Sequence, residues 1–239
     1  VNESTGIYYK ELYSVFDSPV SVLDCGRECA PYNEYGIPFC CDTFHTVPTA
    51  YEDEWEYLAS KTDLWHLWEP DDPEHYKLLK TVTPEGHVLI ECLGHEKCQR
   101  NFRSITCRAF PFAPYISSSG VYLGISYYWQ YEDRCWVISN LDQVTRIFRD
   151  ECIRAYEWIF NTYPREWDIF KYHSELLRRE FGQSNRAIPL LHRNGYAYKI
   201  TPHNERMRRV DVRSFLKHGP YKIAAAMPFP DEIAETNNT

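Results

Sequence analysis

From Leu141 onward apolar residues recur at spacings of three and four: Leu141, Val144, Ile147, Phe148, Cys152, Ala155, Tyr156, Ile159 and Phe160. That period marks one face of an α-helix, so a helix of about 20 residues is predicted here, with Asn140 as its N-cap. Pro164 opens a second helix, EWDIFKYHSELLRREF, which Gly182 ends. Upstream, AYEDEWEYLASKT (50–62) reads as a short amphipathic helix with an acidic first turn. The stretch LWHLWEPDDPEHYKLL (64–79) is broken by Pro70 and Pro73 and predicts two short helices around a turn. His87–Cys92 and Val121–Tyr128 are rich in β-branched and aromatic residues and predict strands, and Gly195–Ile200 predicts a small strand or hairpin arm. The tail from Pro228 is polar and reads as loose, and no internal repeat is visible.

These elements give an α+β expectation: an irregular, metal-stapled, cysteine-rich domain of short helices and strands over 1–139, and a mainly helical C-terminal portion over 140–239. At 239 residues, 44% apolar and 25% charged, the chain can bury a core without crosslinks, which excludes disordered and collagen-like classes. The longest uncharged stretch, Ala109–Tyr131, holds Pro111, Pro114 and the turn Ser117–Gly120, so it is not a membrane helix. The opening VNESTGIYYKELYSVF is acidic and has no apolar run, unlike a secretory signal. The cytoplasm is therefore the expected compartment, unless a leader was removed ahead of Val1. A net charge of −8 argues against a nucleic-acid binder. Yet residues 151–219 hold 13 Lys/Arg against 8 Asp/Glu, whereas residues 1–150 hold 12 against 23. The basic third could face an acidic protein substrate or redox partner through Arg178, Arg179, Arg206, Arg208 and Arg209; solvated helix faces are the plainer reading.

Nine cysteines carry the chemistry: Cys25, Cys29, Cys40, Cys41, Cys92, Cys98, Cys107, Cys135 and Cys152. The odd number and the absence of a secretory signal argue against a disulfide framework, and metal ligation accounts better for the clustering. Cys25 and Cys29 share a Gly-containing turn, Cys40–Cys41 is a doublet, and Cys92 and Cys98 are a second close pair around Gly94. Thiolates repel one another and converge only around a soft cation such as Zn²⁺ or the iron of a cluster. If extended, the doublet points its thiols to opposite sides, serving two neighbouring centres or two edges of one polynuclear cluster. Spacing does not choose between them. Cys152 lies on the apolar face of the long helix and reads as core, while His45, His87 and His95 read as surface or supporting groups.

The segment CLGHEKCQRNFRSITCRAFPF (Cys92–Phe112), with the earlier pair and doublet, resembles the zinc- or iron-chelating cysteine-cluster family that includes flagellin lysine N-methylase. The resemblance covers roughly residues 20–140. It implies a ligand set of Cys25, Cys29, Cys40, Cys41, Cys92, Cys98, Cys107 and Cys135, and a protein-modifying activity such as lysine N-methylation. The chain departs from the family pattern in the ten residues between Cys29 and Cys40, in Ser104 where a Pro is common, and in a Cys98–Cys107 gap one residue short. Independently of the family, Arg103 and Arg108 flank Cys107 and would favour its thiolate and offset the charge of a ligated cluster. Arg108 could equally pair with an N-terminal carboxylate.

Other motifs are missing. His95-Glu96 lacks the second His of H-E-x-x-H, Tyr32 breaks the C-x3-C-x2-C spacing, and there is no Walker loop, G-x-G-x-x-G or G-x-S-x-G. Glu52, Asp53, Glu54 and Glu56 could supply a general base but read as a solvated helix start. The sequence thus predicts a cysteine-ligated metalloprotein with an iron–sulfur cluster, expected as 4Fe–4S, in redox chemistry or electron transfer. The alternatives are a protein-modifying enzyme and a zinc-stapled structural or partner-binding module.

Overall fold

A computed structural model describes residues 3–70 and 72–224. The expected loose tail from Pro228 lies outside the described residues. The architecture is α+β, with two antiparallel sheets and helices packed around them.

In chain order, α1 (Glu3–Val15) and the short α2 (Cys25–Cys29) lead to β1 (Thr49–Tyr51), α3 (Glu52–Ala59), β2 (Trp65–Leu67), α4 (Pro73–Val82) and β3 (His87–Cys92). The three strands form a sheet in the order β1-β3-β2. The two helices predicted over 64–79 are thus one strand and one helix. Trp65 and Leu67 pair with Cys92 and Ile90 of β3, a long-range pairing that overrides the local pattern. Asp72 caps α4 by accepting the Glu74 N–H, with Pro73 in the first turn.

The second sheet is a five-stranded meander, β4 (Phe112–Ile116), β5 (Tyr122–Tyr127), β6 (Ile188–His192), β7 (Ala197–Ile200) and β8 (Met207–Val210). The short α5 (Ile105–Ala109) precedes it, and α6 (Trp136–Ser139), α7 (Arg146–Thr162) and α8 (Pro164–Gln183) are inserted between β5 and β6. The described chain ends with α9 (Tyr221–Ala224). The sheet crosses the division expected at residue 140: Gly124 and Ile125 of β5 pair with His192 and Leu191 of β6. All of β4 is buried, because α8 lies against it and Ser174 of α8 accepts the Ile116 N–H at 2.9 Å. One hydrophobic core runs from Tyr9 and Leu12 of α1 through Phe112, Tyr115, Phe148 and Ile159 to Ile200.

The long helix starts later than its apolar period predicts. Leu141–Gln143 is a 3-10 turn, and α7 is capped by Thr145, whose Oγ1 accepts the Phe148 N–H at 3.1 Å. Asn140 instead donates to the Trp136 carbonyl and accepts from Lys217.

Candidate functional site

The cysteines are carried on short elements with little else to recommend their position. Asp24 caps α2, accepting the Gly26 and Arg27 N–H groups, and so fixes the turn that bears Cys25 and Cys29. Cys40 and Cys41 lie in the 3-10 turn Phe39–Cys41, so the doublet is helical rather than extended. Cys92 closes β3, Cys98 follows the 3-10 turn His95–Lys97, and Cys107 lies in α5. Ser104 caps α5 by accepting the Cys107 N–H.

These five segments surround one cavity of about 990 Å³, with Cys25, Cys40, Cys41, Cys92, Cys98 and Cys107 on its wall. All nine cysteines are free thiols. Cys29 and Cys135 stand behind the wall, where Cys29 packs with Phe39, Tyr221 and Trp136. Their charges nevertheless act on the same group: Cys29 raises Cys25, and Cys25 raises Cys135. Cys152 is fully buried in the main core and contributes nothing to the cavity.

Burial sets the protonation of most of these thiols. It pushes Cys25 up to about 11, and Cys107 and Cys135 up to about 12. The doublet divides: a hydrogen bond from Cys40 lowers Cys41, against burial, while Cys40 is raised as the donor. Cys41 is therefore the member that ionises first. Arg103 donates from Nε to Cys98 Sγ at 3.1 Å. Burial opposes the Arg103 charge, but Cys107 and Cys98 outweigh it and raise the guanidinium above its ordinary value.

The expected pair of arginines thus has two different roles. Arg108 lines the cavity, yet its guanidinium binds the carbonyls of Phe16, Asn101 and Arg103, pairs with Asp17 at 3.1 Å and lies 4.3 Å over the Tyr13 ring. It ties α1 to α5, as the carboxylate-pairing reading has it. His95 is exposed on the cavity wall, whereas His45 packs on Phe39 and Phe44, and His87 sits 3.5 Å from Glu166. Thr46 also lines this cavity, and its Oγ1 is buried and has no hydrogen-bond partner among the described residues.

The donor chemistry of the thiol wall suits a soft metal. Among the described residues no group of three or more His, Cys, Asp or Glu side chains is arranged to hold a metal ion.

Glu54 departs most from the sequence reading. It is completely buried and accepts from Tyr13 Oη at 2.6 Å, the Ile105 N–H at 2.7 Å and the Tyr51 N–H at 3.4 Å. Burial raises it to about 7 in spite of those bonds. One carboxylate therefore joins α1, the start of α3 and the N-terminus of the helix that carries Cys107. Its neighbour Asp53 is also engaged, accepting from Tyr9 and Tyr163. Glu54 lies three residues from Tyr51 and four from Leu58, the helical spacing of a shared inner face.

Among the described residues no helix is long and apolar enough to cross a membrane. No family model matches the chain, and no curated protein or solved structure matches it significantly.

Proposed function

We propose that the thiol-lined cavity binds an iron–sulfur cluster and that the protein serves in redox chemistry or electron transfer. The observation that carries this reading is the meeting of six unpaired thiols, from five separate segments, on one cavity. Burial and the neighbouring thiols disfavour ionisation of most of these groups, and a soft cation that replaces their protons compensates the thiolate charge. The resemblance of Cys92–Phe112 to the zinc- or iron-chelating cysteine-cluster family supports the same reading. Cys25, Cys40, Cys41, Cys92, Cys98 and Cys107 would hold the group, with Cys29 and Cys135 in reserve behind them. A cluster supplies one-electron transfer. Arg103 stabilises negative charge at Cys98 and Cys107, and Phe110, Phe112 and Tyr131 on the cavity wall restrict water.

An acidic redox partner or protein substrate fits the strip Arg206, Arg208 and Arg209, exposed on and beside the edge strand β8. Arg178 does not belong to that strip, because it is half-buried and pairs with Glu205 at 3.1 Å.

Protein prepared anaerobically tests the reading by iron, zinc and acid-labile sulfide analysis with a visible spectrum. Iron and sulfide in comparable amounts, with charge-transfer absorption lost in Cys107→Ser, are expected. Colourless protein containing zinc without sulfide would replace the redox role with a structural one, and metal-free protein after anaerobic reconstitution would overturn the proposal.

A further inference from the structure

The strand β8 forms one edge of the five-stranded sheet and pairs with β7 alone. Its register decides which backbone groups look outward. One step past the Ile200–Met207 pair, Thr201 donates its N–H to the Arg206 carbonyl at 3.0 Å, so the hydrogen-bonded pairs that follow are Lys199 with Arg208 and Ala197 with Val210. Met207 and Arg209 occupy the alternate positions and turn their N–H and C=O groups away from β7. The far side of β7 keeps the same phase: His192 donates to the Tyr196 carbonyl at 2.9 Å, and Tyr198 and Ile200 bond to β6. Among the described residues nothing hydrogen-bonds to the outward groups of Met207 and Arg209.

The side chains along this edge are cationic. Arg206 and Arg208 share one face, both exposed, and Arg208 stands directly across from Lys199. Like charges at opposed positions destabilise a sheet, and an anion laid beside them relieves the repulsion. Lys199 donates to the Ser214 carbonyl at 2.9 Å, which leaves its charge uncompensated. The flanking acids are engaged elsewhere: Glu205 accepts from Tyr115 and Ser118 and pairs with Arg178 at 3.1 Å, and Asp211 pairs with Arg213 at 2.8 Å. Residues 205–213 hold four arginines against these two acids, so the edge stays positive. On the opposite face Arg209 lies 3.4 Å over the ring of Tyr196, and Met207 is 39% exposed.

An open row of backbone donors and acceptors takes a further strand, and charge decides which strand it takes. A second copy of β8 is the wrong one, because antiparallel pairing would set the arginines of two chains against each other. We infer that β8 accepts an extended acidic segment of a partner protein as an added antiparallel strand. Carboxylates at alternate positions of that segment face Arg206 and Arg208, and the residue between them exchanges hydrogen bonds with Met207. This rests on the acidic partner proposed for the strip above; the thiol cavity has no part in holding the strand, so metal analysis and strand binding succeed or fail separately.

The peptide acetyl-TEVEVT-amide, titrated into the isotope-labelled full chain and followed by NMR, supplies the test. Saturable binding is expected, with the largest shifts at the Met207 and Arg209 amides and a lower affinity as ionic strength rises. The peptide acetyl-TKVKVT-amide should not bind. N-methylation of the valine between the two glutamates removes one backbone donor and should weaken binding about tenfold or more. Met207→Pro removes an outward donor and no bond to β7, so it should weaken binding by a similar factor while its thermal transition shows that it folds. No saturable binding of the acidic peptide, or equal binding of the lysine peptide, would overturn the inference. So would unchanged affinity both for the N-methylated peptide and in folded Met207→Pro, since charge alone would then hold the peptide. Tighter binding of a single-stranded oligouridylate at the same amides would give the edge to nucleic acid and overturn it too.

Discussion

The Glu54 carboxylate and the ring nitrogens of His173 are buried, and these two titratable groups have opposing effects on stability. Burial raises the Glu54 carboxyl from its ordinary 4.5 to about 7, so the folded chain holds this proton more tightly than the unfolded chain. Stability from Glu54 therefore falls as pH rises from 4.5 to about 7, by ~3 kcal/mol in all. His173 packs on Tyr128 and Trp129, with neither ring nitrogen hydrogen-bonded among the described residues, and burial lowers it from 6.5 to about 4. Its contribution is lost as pH falls from 6.5 to about 4, again by ~3 kcal/mol. Glu54→Gln should remove the first slope and leave a variant that loses stability on acidification relative to the wild type. His173→Phe should do the reverse. Urea denaturation between pH 4 and 7 measures both, and parallel pH curves for variant and wild type would refute the assignment. Glu54 reads as solvated in its acidic run, although its spacing from Tyr51 and Leu58 is the signal that marks the inner face. Its partners were not, because Tyr13 and Ile105 arrive from distant segments.

At the scale of elements, what was legible in the sequence is what depends on local period. The helices at 52–59 and 164–183 and the strand at 87–92 stand where apolar spacing and proline punctuation put them, and so does the body of the helix at 146–162, though not its start. What was lost depends on pairing partners: β2 exists because β3 is there to receive it, and the α7 cap sits at Thr145 because its backbone N–H reaches the Val20 carbonyl at 2.9 Å. The same limit governs the site. Eight candidate thiols could be named from the sequence, but which six share one wall follows from how β3, α5 and the loops pack. Thr145→Ala should lower stability by ~1 kcal/mol through loss of the cap. Asn140→Ala should leave the helicity of α7 unchanged, since Asn140 bonds Trp136 and Lys217 instead; far-UV circular dichroism and urea midpoints distinguish the two. Gly124 is a sharper case. Its φ is +148°, and a Cβ would lie 2.3 Å from the Leu191 carbonyl oxygen. Gly124→Ala must therefore part β5 from β6, and a loss of more than ~3 kcal/mol is expected in the same denaturation experiment.

At the scale of the whole molecule, the thiol-bearing segments and the helical portion are held by one core and one sheet. The strand β5 precedes residue 140, whereas its partner β6 and the helices α7 and α8 follow it. The segment after β8 also returns to the cysteine side: the His218 backbone N–H donates to Ser139 Oγ at 2.8 Å, and Tyr221 donates to the Arg134 carbonyl while packing on Cys29. A fragment of residues 1–139 would keep every cysteine of the candidate centre. It would nevertheless expose the β6-facing edge of β5, uncover the buried β4 and remove Phe148, Ile159, Phe181 and Ile200 from the core. Apolar burial is the main stabilising term, and a folded chain is stable only by a small margin, so losing these residues exceeds what the remainder can withstand. The 1–139 fragment should therefore show no cooperative unfolding transition, whereas the full chain should unfold in one step with coincident near- and far-UV circular dichroism. A fragment that melts cooperatively would show instead that the cysteine-bearing part has a stable core of its own.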